Sequence, residues 1–287
     1  MNTIIIPTDF SKASEKAIEF GIEIAQRTEA SILLLHSVFI PAMDINVPAD
    51  LVQDMYKTEE EESEKKLIIL CKKIHAFKYK NGHHLSCDYV SHHNVPAVEI
   101  ESIAEEYKAD LVIMGTKGRD NLWGFLGSTT MESLKNLDCS VLIVKESSTW
   151  NDFRKVSCAI ETINEDLFQL KAVIPLLKEF NSETTVLHIE KHAKSADDLE
   201  MIIERKEEGE NFMAAFSETT NYRNISYRSL LGNDPSEGIV DFIEKNRSDL
   251  LVLIKYKRNW FENLFHSSVT KKIISDLNIP VLVIHKK

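Results

Sequence analysis

The sequence predicts a doubly wound α/β fold, laid down twice in tandem. Three observations predict it. Short runs such as Leu33-Leu34-Leu35 and Leu111-Val112-Ile113-Met114 are apolar without alternation, which marks strands buried on both faces of a parallel sheet. These runs alternate with longer stretches whose apolar residues recur at helical spacing. The whole order then repeats after about 140 residues, the usual size of a domain.

In the first half, residues 3–8 (TIIIPT) read as a strand, followed by Asp9 and a helix over residues 11–27. Ala13, Ala17, Gly21 and Ile24 share one face of that helix, small enough to approach a sheet closely. Residues 32–36 are a second strand and 37–48 a loop. A charged helix over 49–77 carries Leu67, Leu70, Cys71 and Ile74 as its inner stripe, and the run Glu59–Glu62 is a solvated face. Residues 85–91 form a third strand. Pro96 opens a helix with Ile100, Ile103, Ala104 and Tyr107 at i, i+3, i+4 and i+7. Two more strands, 111–114 and 141–144, flank a glycine-bearing loop and a helix that carries Met131, Leu134 and Leu137 on one side.

The second half follows the first closely. Glu161 to His188 matches Asp9 to His36 without a gap, Pro235 matches Pro96, and Asp249-Leu250-Leu251-Val252 matches Asp110-Leu111-Val112-Ile113. Domains therefore span residues 1–146 and 151–287, joined by the polar segment 146–152 (ESSTWND). Pro175, inside the counterpart of the first helix, implies a kink there.

Chemistry concentrates after the fourth strand of the first half. Gly115-Thr116-Lys117-Gly118, eight further residues (119–126), then Gly127-Ser128-Thr129 lead into a helix. Bare glycine backbone, hydroxyls and the unpaired N–H groups of a helix N-terminus together suit phosphate. Asp9, at the end of the first strand, is a ligand candidate or a helix cap. In the second half Ile254, Lys257 and His266 replace Gly115, Gly118 and Gly127, and Glu161 replaces Asp9. Cβ atoms there would block a close approach of phosphate, so the second site reads as degenerate.

Taken together, Ile6-Pro7-Thr8-Asp9-Phe10-Ser11, Leu34-Leu35-His36, Ala109 to Gly118, Gly127-Ser128-Thr129 and the closing strand 140–144 resemble the universal stress proteins in their tandem form. The resemblance implies two Rossmann-like, five-stranded parallel sheets and, in the first, a crevice for ATP. Pro7, Thr8 and Asp9 would line its adenine and ribose side, and Ser37 would close over the base. Met114, Gly115, Lys117, Gly118, Gly127, Ser128 and Thr129 would surround ribose and phosphates, with Mg2+ as the nucleotide's companion ion. The loop 119–126 is one residue shorter than is usual in the family, and Ser37 stands where an apolar residue is usual. AMP, ADP or an empty site therefore stay open. The resemblance also implies a cytoplasmic stress or regulatory protein. Its two final strands would meet as an intramolecular pseudo-dimer, and association of two chains into a homodimer stays open.

The remaining features mostly exclude functions. A formal net charge of −11 disfavours nucleic acid and anionic membrane surfaces. No apolar run approaches the roughly 20 residues of a membrane span, and the N-terminus lacks signal-peptide order. Cys71, Cys87, Cys139 and Cys158 show no C-x-x-C spacing and read as reduced, buried thiols. His83-His84 and His92-His93 flank a strand and stand too far apart to share a metal ion. His36 and His188 recur in both halves, which favours a structural bond over catalysis. Beyond Asp9 the motif offers no general base, so hydrolysis is expected to be slow or absent and no catalytic residue is assigned. The alternatives are an interaction module with empty crevices and an adenine-nucleotide hydrolase or adenylating enzyme.

Overall fold

The computed structural model describes residues 1–38, 49–116, 128–162, 169–190, 195–255 and 277–285. The chain divides into two compact units that part between residues 146 and 147. In the first, β1 (Thr3–Pro7), β2 (Ser31–Val38), β3 (Cys87–His93), β4 (Leu111–Thr116) and β5 (Ser140–Lys145) form a parallel sheet in the order β3-β2-β1-β4-β5. In the second, β6 (Lys155–Ile160), β7 (Glu183–Glu190), β8 (Ile225–Leu231), β9 (Leu250–Lys255) and β10 (Val281–His285) run parallel in the equivalent order β10-β9-β6-β7-β8. The doubly wound fold is thus present in each unit.

Central strands are dry. Ile4, Ile5 and Ile6 of β1 and Val112 and Ile113 of β4 have no exposed surface, and burial of each such side chain contributes about 1.5–3 kcal/mol. The unbroken apolar runs follow from cover on both faces. Right-handed crossovers place α1 (Lys12–Thr28) and α2 (Ala49–His75) on one face of the first sheet. α3 (Pro96–Glu106) and α4 (Ser128–Asn136) lie on the other, packed against each other. One polar device recurs at the amino edge of both sheets. The Asp110 carboxylate accepts from the Thr3 N–H at 3.2 Å, and Asp249 accepts from the Lys155 N–H at 2.8 Å. This aspartate precedes the fourth strand of each unit and pins the start of the first strand.

Several elements differ from expectation for local reasons. β1 stops at Pro7, although the Thr8 N–H still donates to the Leu35 carbonyl at 2.8 Å. β2 runs on through Ser37 and Val38, assigned to a loop from the sequence, because β3 offers them His92 and His93 as partners. β3 begins two residues late: Leu85 is buried, but its N–H goes back to Phe77 and closes the α2–β3 connection. Tyr107, assigned to the inner stripe of α3, is 42% exposed at that helix's C-cap. The polar segment 146–152 is not a free tether. Ser148 donates to the Asn278 carbonyl at 3.1 Å, and Trp150 packs its ring on Phe153 and Phe180, all within the second unit.

Pro175 acts as expected on the first helix of the second unit. Residues 171–173 form a turn, and a short helix, α5 (Ile174–Glu179), restarts with the proline in its first turn. α6 (Ala196–Thr220) opens on a capping box between Ser195 and Asp198, and α7 (Pro235–Asn246) is capped by Asp234.

Candidate functional site

The order β3-β2-β1-β4-β5 reverses direction between β1 and β4, and open α/β sheets take ligands outside the carboxyl ends of the strands at that switch point. Pro7 closes β1 there, Thr8 and Asp9 follow it, and Gly115-Thr116 closes β4. Ser37 stands one strand away, near the end of β2. Topology thus gathers these predicted residues at one edge. Met114 is buried within β4, where it pairs with Ile143. Thr129 lies half-buried in the first turn of α4, and Ser128 begins that helix. Lys117, Gly118 and Gly127 lie outside the described residues, as do Lys257 and His266 in the second unit.

Between β1 and α1 the backbone turns on a chain of hydroxyls. Thr8 Oγ1 accepts from the Phe10 N–H at 3.1 Å and donates to Ser14 Oγ at 3.1 Å. Asp9 Oδ1 accepts from the Ser11 N–H at 3.0 Å, and Ser11 is the true N-cap of α1, accepting from the Ser14 N–H at 3.3 Å. Thr8 is buried with its polar atoms committed inward, because its carbonyl also accepts from His36 Nδ1 at 2.8 Å. Asp9 is exposed. Burial alone would raise its carboxyl pKa, but hydrogen bonds from the side chain and backbone of Ser11 and from Ser14 outweigh it and hold the value below the ordinary one. An ionised carboxylate is a hydrogen-bond acceptor for hydroxyl and N–H donors and repels anions.

The recurrent histidine has the structural role expected of it. In the second unit His188 Nδ1 bonds the Ile160 carbonyl at 3.2 Å, the counterpart of the His36 bond to Thr8. Each ties the second strand to the end of the first.

Gly115 has a packing role that the phosphate-cradle reading did not include. A Cβ there would lie 2.0 Å from the carbonyl oxygen of Ala13 and 2.8 Å from the Ser14 nitrogen, so the first turn of α1 already requires a bare residue. Two other observations fit an anion near the end of β4. Thr116 Oγ1 is buried without a hydrogen-bond partner among the described residues, and the first turn of α4 carries no acidic side chain.

Some residues at this edge escaped sequence reasoning. Phe10 adopts φ of 61°, rare for a bulky residue. Its ring lies 4.7 Å from that of His36, with Lys66 Nζ of α2 5.2 Å from its centroid. Asn94 accepts through its carbonyl from Ser37 Oγ at 2.6 Å and donates its side-chain amide to the buried Glu99 at 2.9 Å. Nothing local in the sequence announces Lys66, whose placement depends on how α2 crosses the sheet. Phe10 could have been suspected, since it is wedged between a strand end and a helix cap.

The equivalent corner of the second unit carries a buried carboxylate. Glu190, the counterpart of Val38, is 4% exposed and lies between His188 Nε2 at 3.1 Å and Arg205 Nη1 at 3.0 Å. Ile160 replaces Thr8, so the hydroxyl chain has no equivalent starting point.

The sequence profile of the Universal stress protein family matches residues 1–145 and again residues 153–285. The chain belongs to that family. Universal stress protein MJ0531 of Methanocaldococcus jannaschii is 33% identical over 152 residues, spanning 50% of this chain and 81% of the relative. Universal stress protein MJ0577 of the same organism is 26% identical over 163 residues, spanning 51% and 96%. The crystal structure of a universal stress protein from Archaeoglobus fulgidus shares the fold across 100% of this chain and 99% of its own, with a TM-score of 0.74 at 18% identity. Each half of this universal stress protein therefore corresponds to one family domain.

Proposed function

We propose that the first unit of this universal stress protein binds an adenine nucleotide, ATP or its di- or monophosphate, and serves as a regulatory module with slow or no hydrolysis. The observation that carries the reading is the ionised Asp9 at the switch point between β1 and β4, facing the same edge as the acid-free N-terminus of α4. In this reading Asp9 accepts from the ribose hydroxyls. The backbone around Lys117, Gly118, Gly127, Ser128 and Thr129 takes the phosphates, Thr116 Oγ1 gains its missing partner, and Ser37 and Pro7 border the base. Magnesium would travel with the phosphates. The turnover chemistry of a hydrolase would need a base beside an attacking water, and the Asp9 carboxylate is engaged by Ser11.

Small molecules released from the freshly purified, denatured full-length chain, identified by mass spectrometry, test the reading. Thermal unfolding of the intact chain with added ATP gives the second measurement. At a hundred times its Kd a ligand stabilises by about 2.7 kcal/mol, and each kcal/mol raises the midpoint by about 2–4 °C in a domain of this size. An adenine nucleotide in the released pool, or that shift with ATP, is the expected result. An empty pool and an unmoved midpoint with ATP, ADP and AMP would sink the reading and favour an interaction module with an empty crevice.

A further inference from the structure

Two of the four cysteines meet on the flank of the first unit. Cys71 lies in the last two turns of α2 and Cys87 is the first residue of β3, and both are buried. Their Sγ atoms are 2.7 Å apart, against about 2.05 Å in a disulfide. The intervening connection is itself tied down. The Leu85 N–H donates to the Phe77 carbonyl at 3.0 Å, His75 Nδ1 bonds the Leu85 carbonyl at 2.7 Å, and the Tyr79 hydroxyl joins the Ser86 N–H to the Ala30 carbonyl. The chain has therefore already spent the loop-closure entropy that would keep the sulfurs apart.

We propose that Cys71 and Cys87 form a reversible disulfide, a peroxide-responsive clasp that fastens the end of α2 to the edge strand β3. The two thiols are not equivalent. The hydrogen bond between the two thiols lowers the Cys71 thiol pKa despite burial, whereas the same bond, together with burial, pushes the Cys87 thiol up. Cys87 also holds its proton toward a second acceptor, the Asp88 carbonyl at 3.7 Å, which leaves Cys71 as the attacking sulfur. Its thiolate takes one oxygen of a hydroperoxide, the O–O bond breaks, and the other oxygen leaves as an alcohol, or as water from hydrogen peroxide. The Cys87 sulfur then attacks the Cys71 sulfenic acid, forms the S–S bond and expels its oxygen as water, with the Cys87 proton. The pair loses two electrons and two protons, and the peroxide is reduced by the same two electrons. Because α2 also carries Lys66 beside Phe10, oxidation fixes a helix that borders the crevice. The clasp stands independently of whether that crevice takes a nucleotide.

The test uses the full chain treated with hydrogen peroxide, then alkylated and mapped by mass spectrometry. The expected product is a cross-linked peptide pair joining Cys71 to Cys87, with Cys139 and Cys158 still alkylatable after unfolding. Closing this loop also raises the thermal midpoint by roughly 5–10 °C, and dithiothreitol reverses the shift. In a Cys87→Ser chain, dimedone traps a sulfenic acid on Cys71; in a Cys71→Ser chain it traps none on Cys87. The proposal fails if Cys71 and Cys87 stay alkylatable while Cys139 is oxidised. It also fails if the cross-link forms only in denatured chain, or if both sulfurs pass to sulfinic acids without joining.

Discussion

A methyl group on Gly115 would sit 2.0 Å from the Ala13 carbonyl oxygen, so the bareness of that position serves the contact between α1 and β4 before it serves any ligand. Gly115→Ala is expected to destabilise the chain by about 3 kcal/mol, read as a lower urea midpoint with no nucleotide present. A variant as stable as the parent would return this glycine to a purely ligand-facing role. Asp9 makes a pH prediction. Its folded pKa is depressed, so its contribution is fully present above the unfolded value of about 3.9 and is lost as pH falls through the folded value. Asp9→Asn should therefore flatten the loss of stability between about pH 5 and about pH 2, measured by denaturant unfolding at each pH. An unchanged acid limb would show that the Ser11 and Ser14 bonds do not act on the ionised form.

At the scale of elements, Glu190 of β7 is a carboxylate that the second unit keeps buried. Its partner Arg205 reaches it from α6. Arg205 is half exposed, so removing it strands the buried carboxylate, whereas an apolar replacement of the carboxylate relieves that burial. Arg205→Ala is expected to cost about 2 kcal/mol, while Glu190→Val, which copies Val38 of the first unit, should stay within about 1 kcal/mol of the parent. Equal losses in the two variants by chemical unfolding would refute this. The same comparison explains what was legible in the sequence. Strand and helix order were readable because burial on both faces imposes unbroken apolar runs, as at Ile4-Ile5-Ile6, and turn chemistry marked Pro96 and Pro175 correctly. Register was not readable, since Leu85 is as apolar as any strand residue and only the hydrogen bond to Phe77 removes it from β3. Tyr107 kept the helical period one turn past the point where α3 still faces the sheet. Asp9 was visible as a carboxylate at a strand end, but the role of Thr8 as the hydroxyl that locks the turn needs a partner six residues on.

For the whole molecule, the expectation is functional asymmetry between two copies of one fold. The intact chain should take up a single adenine nucleotide, measured by titration calorimetry with ATP, and Asp9→Asn should weaken binding roughly tenfold, about 1.4 kcal/mol. Glu161→Gln, at the counterpart position, should leave affinity unchanged. Two nucleotides per chain, or sensitivity at Glu161 and not at Asp9, would place the ligand in the wrong copy.

The contact between Ala13 and Gly115 has a mechanical corollary. With only hydrogen between one helix's opening carbonyl and the neighbouring strand's last residues, neither wall has room to shift toward the other. A guest arriving at that notch meets a mould cast in advance.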